Sequence, residues 1–261
     1  MILDTIAAST RKRVEAAKAA VSPEDMSQRA HNLPKGSFAF EQALREPGLS
    51  FICEVKKASP SKGLIAPDFA YIDIARDYEA AGASAISVLT EPDYFLGQDS
   101  YLSDIKAVCA LPLLRKDFTV DDYQIYEAKT IGADAVLLIC ALLDTQTLRQ
   151  YIKICDELSL SALVEAHTAQ EVFSALEAGA RIVGVNNRNL QTFDVNIETC
   201  EKLRPLVPPS VLFVAESGIQ TNADISRLKR AGIDAVLIGE TLMRSGNRQA
   251  ALRELREGGN A

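Results

Sequence analysis

At 261 residues, with 48% hydrophobic side chains, the chain is long enough for one large α/β domain and has ample apolar material for a core. Its 28 lysines and arginines against 35 acids, net charge −7, argue against general nucleic-acid binding but leave room for a local basic cleft that takes an anionic small molecule. No apolar run approaches membrane-spanning length, the start MILDTIAASTRKR lacks the continuous apolar core of a signal peptide, and the five cysteines show no C-x-x-C, which together point to a cytoplasmic protein with buried, reduced thiols.

Residues 1–47 read as a helical N-terminal extension. Apolar residues recur at helical spacing from Thr5 to Ala20, and Ser22-Pro23-Glu24 has a capping serine followed by proline at the first helical position. Pro47-Gly48 marks the boundary. From Phe51 onward one phrase repeats: AGASAI, IGADAV, AGARIV and AGIDAV, whose glycines fall at 82, 132, 179 and 232. Each copy reads as a helix end, a turn and an apolar strand. Between the copies lie LPLLRKD, SALVEAH and VLFVAES, and FICEVK precedes them all. The spacing predicts eight strands, at 51–58, 85–90, 111–117, 135–140, 161–166, 182–187, 211–216 and 235–239, each followed by a helix. The fold expected is one (β/α)₈ TIM barrel domain over 1–261, with 1–47 as its extension. An open doubly wound sheet is the competitor, but no G-x-G-x-x-G follows the first strand.

In a barrel the C-terminal strand ends build the active site. Side chains alternate along a strand, so Ile52, Glu54 and Lys56 share one face of FICEVKKASPSKG. An acid and an ammonium on an inward face are costly without a purpose or a partner, and the bland alternative is a structural ion pair. The same alternation turns Lys116 inward if Leu114 fills the barrel, and Glu165 inward if Leu163 does. Asn186 and Arg188 share a face. Glu54, Lys56, Lys116, Glu165, Asn186 and Arg188 are therefore expected in one cavity, where carboxylates beside ammoniums acquire pKa values suited to proton transfer. Arg115, Asp117 and Asn187 face the other way and read as structural. Ser217-Gly218 and Gly239-Glu240, ahead of helix starts at Thr221-Asn222 and Thr241, fit a phosphate site built of backbone N–H groups, with ordinary glycine turns as the alternative. Ser59 and Lys62 of SPSKG are further anion candidates, and Gly63 gives that loop flexibility. Tyr94, Phe95 and Phe118 are placed to wall a flat aromatic pocket or simply to pack. His31 lies in a polar stretch, and with His167 the only other histidine no cluster has metal-ligand spacing.

The stretches CEVKKASPSKG, LLRKDF with DDYQIYEAKTIGADAVLLI, LVEAH, VGVNNRNL, VAESGI and LIGETLMR resemble the bacterial indole-3-glycerol phosphate synthases, in order and over nearly the whole chain. The resemblance implies a carboxy-lyase of tryptophan biosynthesis. Its substrate would be 1-(2-carboxyphenylamino)-1-deoxyribulose 5-phosphate, closed to an indole with loss of carbon dioxide and water, and no cofactor or metal would be needed. It further implies Lys116 as general acid at the ribulose C2 oxygen and Glu165 as the residue that stabilises positive charge on the anilino nitrogen or relays a proton. Glu54 and Lys56 would assist ring closure and dehydration, Asn186 and Arg188 would orient hydroxyls and carboxylate, and Phe118 would line the ring slot. Ser217, Gly218, Gly239 and Glu240 would hold phosphate, helped by Ser59 and Lys56. The chain has no tryptophan, so an aromatic wall that some relatives take from an N-terminal tryptophan must come from another residue, and its length leaves room for one barrel only, hence a monofunctional enzyme. A Schiff-base sugar-phosphate aldolase using Lys116, and a non-catalytic sugar-phosphate-binding barrel, are the competing functions. A small sugar phosphate is the expected partner, with no nucleic acid and no membrane.

Overall fold

The N-terminal extension forms three helices, α1 (Ile2–Ala20), α2 (Pro23–Asn32) and α3 (Ala39–Leu44), in a computed structural model that describes residues 2–189 and 192–260. Ser22 caps α2 as its sequence predicts, its hydroxyl accepting from the Asp25 N–H at 3.1 Å with Pro23 in the first turn. Eight parallel strands follow: β1 (Ser50–Val55), β2 (Ala85–Leu89), β3 (Leu113–Lys116), β4 (Ala135–Ile139), β5 (Ser161–Ala166), β6 (Ile182–Asn186), β7 (Leu212–Glu216) and β8 (Ala235–Ile238). Each pairs with the next, and β8 pairs with β1, so the sheet closes into a barrel. The outer ring includes α4 (Tyr71–Ala80), α5 (Asp99–Lys106), α6 (Tyr123–Thr130), α7 (Thr145–Glu157), α8 (Ala169–Ala178), α9 (Glu198–Leu203), α10 (Asn222–Arg230), α11 (Glu240–Met243) and α12 (Arg248–Asn260). The repeated glycines follow α4, α6, α8 and α10 with φ between +76° and +93°, a left-handed conformation that strains any other residue.

The first strand stops earlier than its sequence suggests. It ends at Val55, and Ala58–Ser59 turns into a small antiparallel hairpin with Gly63–Leu64, because Pro60 and left-handed Gly63 (φ +64°) impose a turn. The third strand begins two residues late, after Pro112, which has no N–H to give the ladder. Among the described residues no helix is long and apolar enough to cross a membrane.

Strand alternation stacks the interior in layers. Ile52, Leu114, Leu163 and Val214, one from each odd-numbered strand, lie in one buried cluster. Ala85, Ala135, Ile182 and Ala235 supply the even-numbered strands' share of that cluster, and Leu137 and Leu237 stand above them. Phe40 and Leu44 of α3 belong to the same cluster, so this short helix plugs the bottom of the barrel. Glu41 beside them accepts from Arg181 at 2.8 Å and from Arg45 at 2.9 Å, which anchors the plug to the segment entering β6. With Phe40 and Leu44 packed into its lower end, the barrel opens into a chamber at the C-terminal strand ends.

Candidate active site

Two residues beyond Ile52, Leu114, Leu163 and Val214 the same register brings up Glu54, Lys116, Glu165 and Glu216. An apolar layer is thus followed by an ionisable one, with three acids around one ammonium. Lys116 Nζ lies 3.6 Å from Glu165 Oε2 and 3.7 Å from Glu216 Oε2. Lys56, just past β1, donates to Glu54 Oε1 at 2.5 Å, and Ser87 approaches the other Glu54 oxygen at 3.4 Å. These groups floor a chamber of about 970 Å³, the size of a small-molecule site.

Burial and neighbouring charge oppose each other here. Burial pushes the Glu54 carboxyl up, but Lys56 and Lys116 more than reverse this and hold it below its ordinary range. Burial alone would favour neutral Lys116, yet Glu165, Glu216 and Glu54 raise its pKa, so it stays an ammonium. Glu216 is pushed up to about 8 by burial and by the charges of Glu165 and Glu54, against the pull of Lys116. Its geometry beside Lys116 is that of an ion pair, but two ammoniums, Lys56 and Lys116, face three carboxyl groups, and burial beside Glu165 and Glu54 pushes Glu216 toward its protonated form.

All six residues expected to converge (Glu54, Lys56, Lys116, Glu165, Asn186 and Arg188) line this chamber. Asn186 Oδ1 accepts from the Arg188 N–H at 3.0 Å, and Arg188 donates to the Phe193 carbonyl at 3.2 Å. Leu190, in the same stretch, lies outside the described residues. Asn187 instead donates to the Ser217 carbonyl and accepts from the Cys200 N–H, joining the ends of β6 and β7. Arg115 is buried against Glu127 (2.7 Å) and Asp99 (2.9 Å) on the helical side. Asp117 touches the chamber wall but spends its carboxylate on Arg13 (3.1 Å) and Thr90 (3.3 Å).

The corner above β7 and β8 contains Ser217, Gly218, Gly239 and Glu240, with Ser59 and Lys62 of the hairpin facing it. Ser217 and Gly218 are both left-handed (φ +69° and +83°), and a side chain at 218 would strike Val195. Two expectations change. The N-terminus of α10 is occupied by its own capping box, in which Asp224 accepts from the Gln220 and Thr221 N–H groups and Thr221 accepts from Asp224, so this end offers little to an anion. The helix expected to start at Thr241 starts at Glu240, after Gly239, and Thr241 donates to the Ile219 carbonyl at 2.7 Å, tying the two loops together. The Glu240 carboxylate stands between Lys62 (3.4 Å) and Arg244 (3.1 Å), which hold it ionised against the effect of burial.

Of the candidate aromatics, Phe95 and Phe118 line the chamber with ring centroids 6.0 Å apart, whereas Tyr94 does not reach it. The buried Glu91 carboxylate gathers the N–H groups of Asp93, Tyr94 and Phe95 and so shapes this loop. Ile2, Leu3 and Ile6 of α1 complete the apolar wall, and α1 is pinned by Arg13 to Asp117, by Ser9 to Asp93 and by Lys18 to Asp121. Sequence reasoning missed α1 as a wall, because its apolar stripe looks like any core-facing stripe. It also left Glu216 out of the proton-transfer group, although alternation from Leu212 and Val214 points to it as surely as it points to Glu165.

The family model of indole-3-glycerol phosphate synthase matches residues 3–255. The chain belongs to that family. It is 64% identical to the indole-3-glycerol phosphate synthase of Ruminiclostridium cellulolyticum over 98% of this chain and 99% of that protein. The indole-3-glycerol phosphate synthase of Endomicrobium trichonymphae is 54% identical over 98% of this chain and 100% of its own length. Among solved structures, 3-hexulose-6-phosphate synthase from Salmonella typhimurium superposes with a TM-score of 0.65 at 16% identity, covering 80% of this chain and 98% of that one. Thiamine phosphate pyrophosphorylase from Pyrococcus furiosus gives 0.60 at 16% identity, covering 81% and 96%. Likenesses this remote concern the barrel alone. As an indole-3-glycerol phosphate synthase the chain is a carboxy-lyase of tryptophan biosynthesis, acting on a sugar phosphate.

Proposed function

We propose that the ionisable layer of Glu54, Lys116, Glu165 and Glu216 closes the indole ring of 1-(2-carboxyphenylamino)-1-deoxyribulose 5-phosphate. The observation that carries this reading is one buried ammonium, Lys116, within 3.7 Å of two carboxyl groups at the floor of the chamber. The phosphate is assigned to the β7/β8 corner, on Ser217, Gly218, Gly239 and the backbone of Glu240, with Ser59, Lys56 and Lys62 alongside. The Glu240 carboxylate itself repels a phosphate, so this residue contributes its N–H. The anthranilate ring is assigned to the slot between Phe95, Phe118 and the α1 residues Ile2, Leu3 and Ile6, with Arg188 and Asn186 facing its carboxylate and the ribulose hydroxyls.

In the bond-forming step the ring carbon bearing the carboxylate attacks ribulose C2. The C2 oxygen gains negative charge and takes a proton from Lys116, whose charge also stabilises it beforehand. Glu165 stabilises the positive charge that develops on the anilino nitrogen. Carbon dioxide then leaves with its bonding electrons returned to the ring. Lys56 protonates the C2 hydroxyl, which leaves as water, and Glu54 takes a proton from ribulose C1, which completes the indole. Glu216, holding a proton at neutral pH, is placed to restore the one Lys116 gives up. The raised Lys116 pKa speaks against a Schiff-base aldolase, which needs a free amine at this position. We place the enzyme in the cytoplasm, where its five free cysteines stay reduced.

The test is ultraviolet detection of indoleglycerol phosphate from the synthetic substrate. The parent chain is expected to form it. Lys116→Ala is expected to lose at least 10²–10⁴-fold in turnover with substrate affinity largely retained. Near-parental turnover in that variant, or a borohydride-trapped adduct on Lys116 in the parent chain, would end this reading.

A further inference from the structure

His167 stands two residues beyond Glu165, where β5 gives way to the start of α8, and the ring-closure scheme above leaves it unused. Its side chain is 15% exposed. Nε2 lies 3.5 Å from Glu165 Oε1, and Nδ1 lies 3.3 Å from Glu171 Oε2. Nε2 is buried and has no hydrogen-bond partner among the described residues. The other Glu165 oxygen, Oε2, is the one 3.6 Å from Lys116. The Glu165 carboxylate therefore stands between two nitrogen groups, Lys116 inside the chamber and His167 behind it.

We propose that His167 is a positioning residue for the synthase reaction: its imidazole ring, braced by Glu171, holds one oxygen of Glu165 from behind and so keeps the other directed at Lys116 and the substrate. This rests on the reading that Glu165 takes part in ring closure. At 3.5 Å the contact is a long one, and what it requires at the Nε2 position is a donor aimed at the carboxylate. The titratable groups acting on the ring are Glu165 on β5, Glu171 on α8 and Glu216 on β7, and past β4 the Cys140 thiol donates to the Glu171 carbonyl at 3.5 Å. Burial pulls the imidazole toward its neutral form. The Glu171 hydrogen bond and the charges of Glu165, Glu171 and Glu216 outweigh that pull and raise its pKa.

The competing role is to help start α8. That role does not need the ring: Thr168 caps the helix by accepting from the Glu171 N–H, and the Glu171 carboxylate is held by the His167 backbone N–H at 2.6 Å, a bond that asparagine, alanine or glutamine at 167 keeps.

Two amides separate the roles. Glutamine places its NH₂ near the Nε2 position, within reach of Glu165; asparagine reaches only the Nδ1 position, toward Glu171. We expect His167→Asn and His167→Ala to lose about tenfold to a hundredfold in kcat, with KM within about twofold, the effect of losing one charged contact. His167→Gln is expected to recover most of that loss. In the parent chain, NMR should show the His167 ring titrating above the ordinary histidine range, and Glu165→Gln should lower that value. Asparagine as good as or better than glutamine, or an imidazole titration unmoved by Glu165→Gln, would overturn the His167 role. Glu165→Gln with parental turnover would instead overturn the reading of Glu165 beneath it.

Discussion

The Glu216 carboxyl lies in the space where a side chain at position 184 would begin: a Cβ built on Gly184 collides with Glu216 Oε1 and comes 3.4 Å from its Cδ. Gly184 lies in β6 without a left-handed φ, so its smallness serves the neighbouring strand rather than its own backbone. Gly184→Ala should displace this carboxyl from Lys116 and lower kcat by about tenfold or more while leaving phosphate affinity near the parental value. Steady-state kinetics with a phosphate inhibition constant would show it, and an unchanged kcat would mean that Glu216 is not needed in that position.

Glu216 also makes a pH prediction. Its carboxyl ionises near 4.5 when unperturbed and is pushed up to about 8 in the folded chain. Between those values the unfolded chain has released this proton and the native chain still holds it, so the group favours the native state at low pH and that advantage is lost as pH rises. Glu216→Gln removes the dependence. Its stability relative to the parent should climb by roughly 1 kcal/mol per pH unit across that window and level off above it, as activity falls. Urea unfolding at several pH values is the measurement, and a constant difference would show that Glu216 is ionised throughout.

The phosphate corner is open to direct test. Inorganic phosphate soaked into crystals should settle between Ser217-Gly218 and Gly239-Glu240. Gly218→Ala forces a side chain into a left-handed conformation and against Val195, so it should raise KM about tenfold or more and leave kcat less affected. Phosphate bound elsewhere, with this corner closed, would remove the assignment.

At the opposite end, Glu41 predicts stability without catalysis. Burial pushes its carboxyl up, but the hydrogen bonds and charges of Arg181 and Arg45 more than reverse this and leave its pKa lowered. The stabilisation is present above the ordinary carboxylate range and is lost as pH falls through that lowered value. Glu41→Gln should therefore cost about 1–3 kcal/mol at neutral pH and progressively less in acid, with kcat unchanged. A loss of stability that persists in acid would point to packing of the barrel plug instead of charge.

The ionisable layer was legible in the sequence because strand alternation is local. Once Leu114 and Leu163 were taken as interior residues, Lys116 and Glu165 followed two positions later, and the same rule reached Glu54 and Asn186. The repeated glycines marked the βα units for an equally local reason, since only glycine accepts their left-handed backbone without strain. Glu216 obeyed the alternation rule but was masked by the Ser-Gly beside it, which drew that strand end into the phosphate site alone.

The sequence by itself determined the family, the eight-strand repeat and which side chains look into the barrel, because periodicity, turn chemistry and motif spacing are properties of short stretches. Tertiary structure alone decided that α1 lies across the chamber, that Arg13 reaches Asp117, that Gly184 clears room for Glu216 and that burial beside Glu165 and Glu54 pushes the Glu216 carboxyl up. Each of these depends on distances between residues far apart in the chain and on how deeply they are buried, and neither is set until the barrel closes.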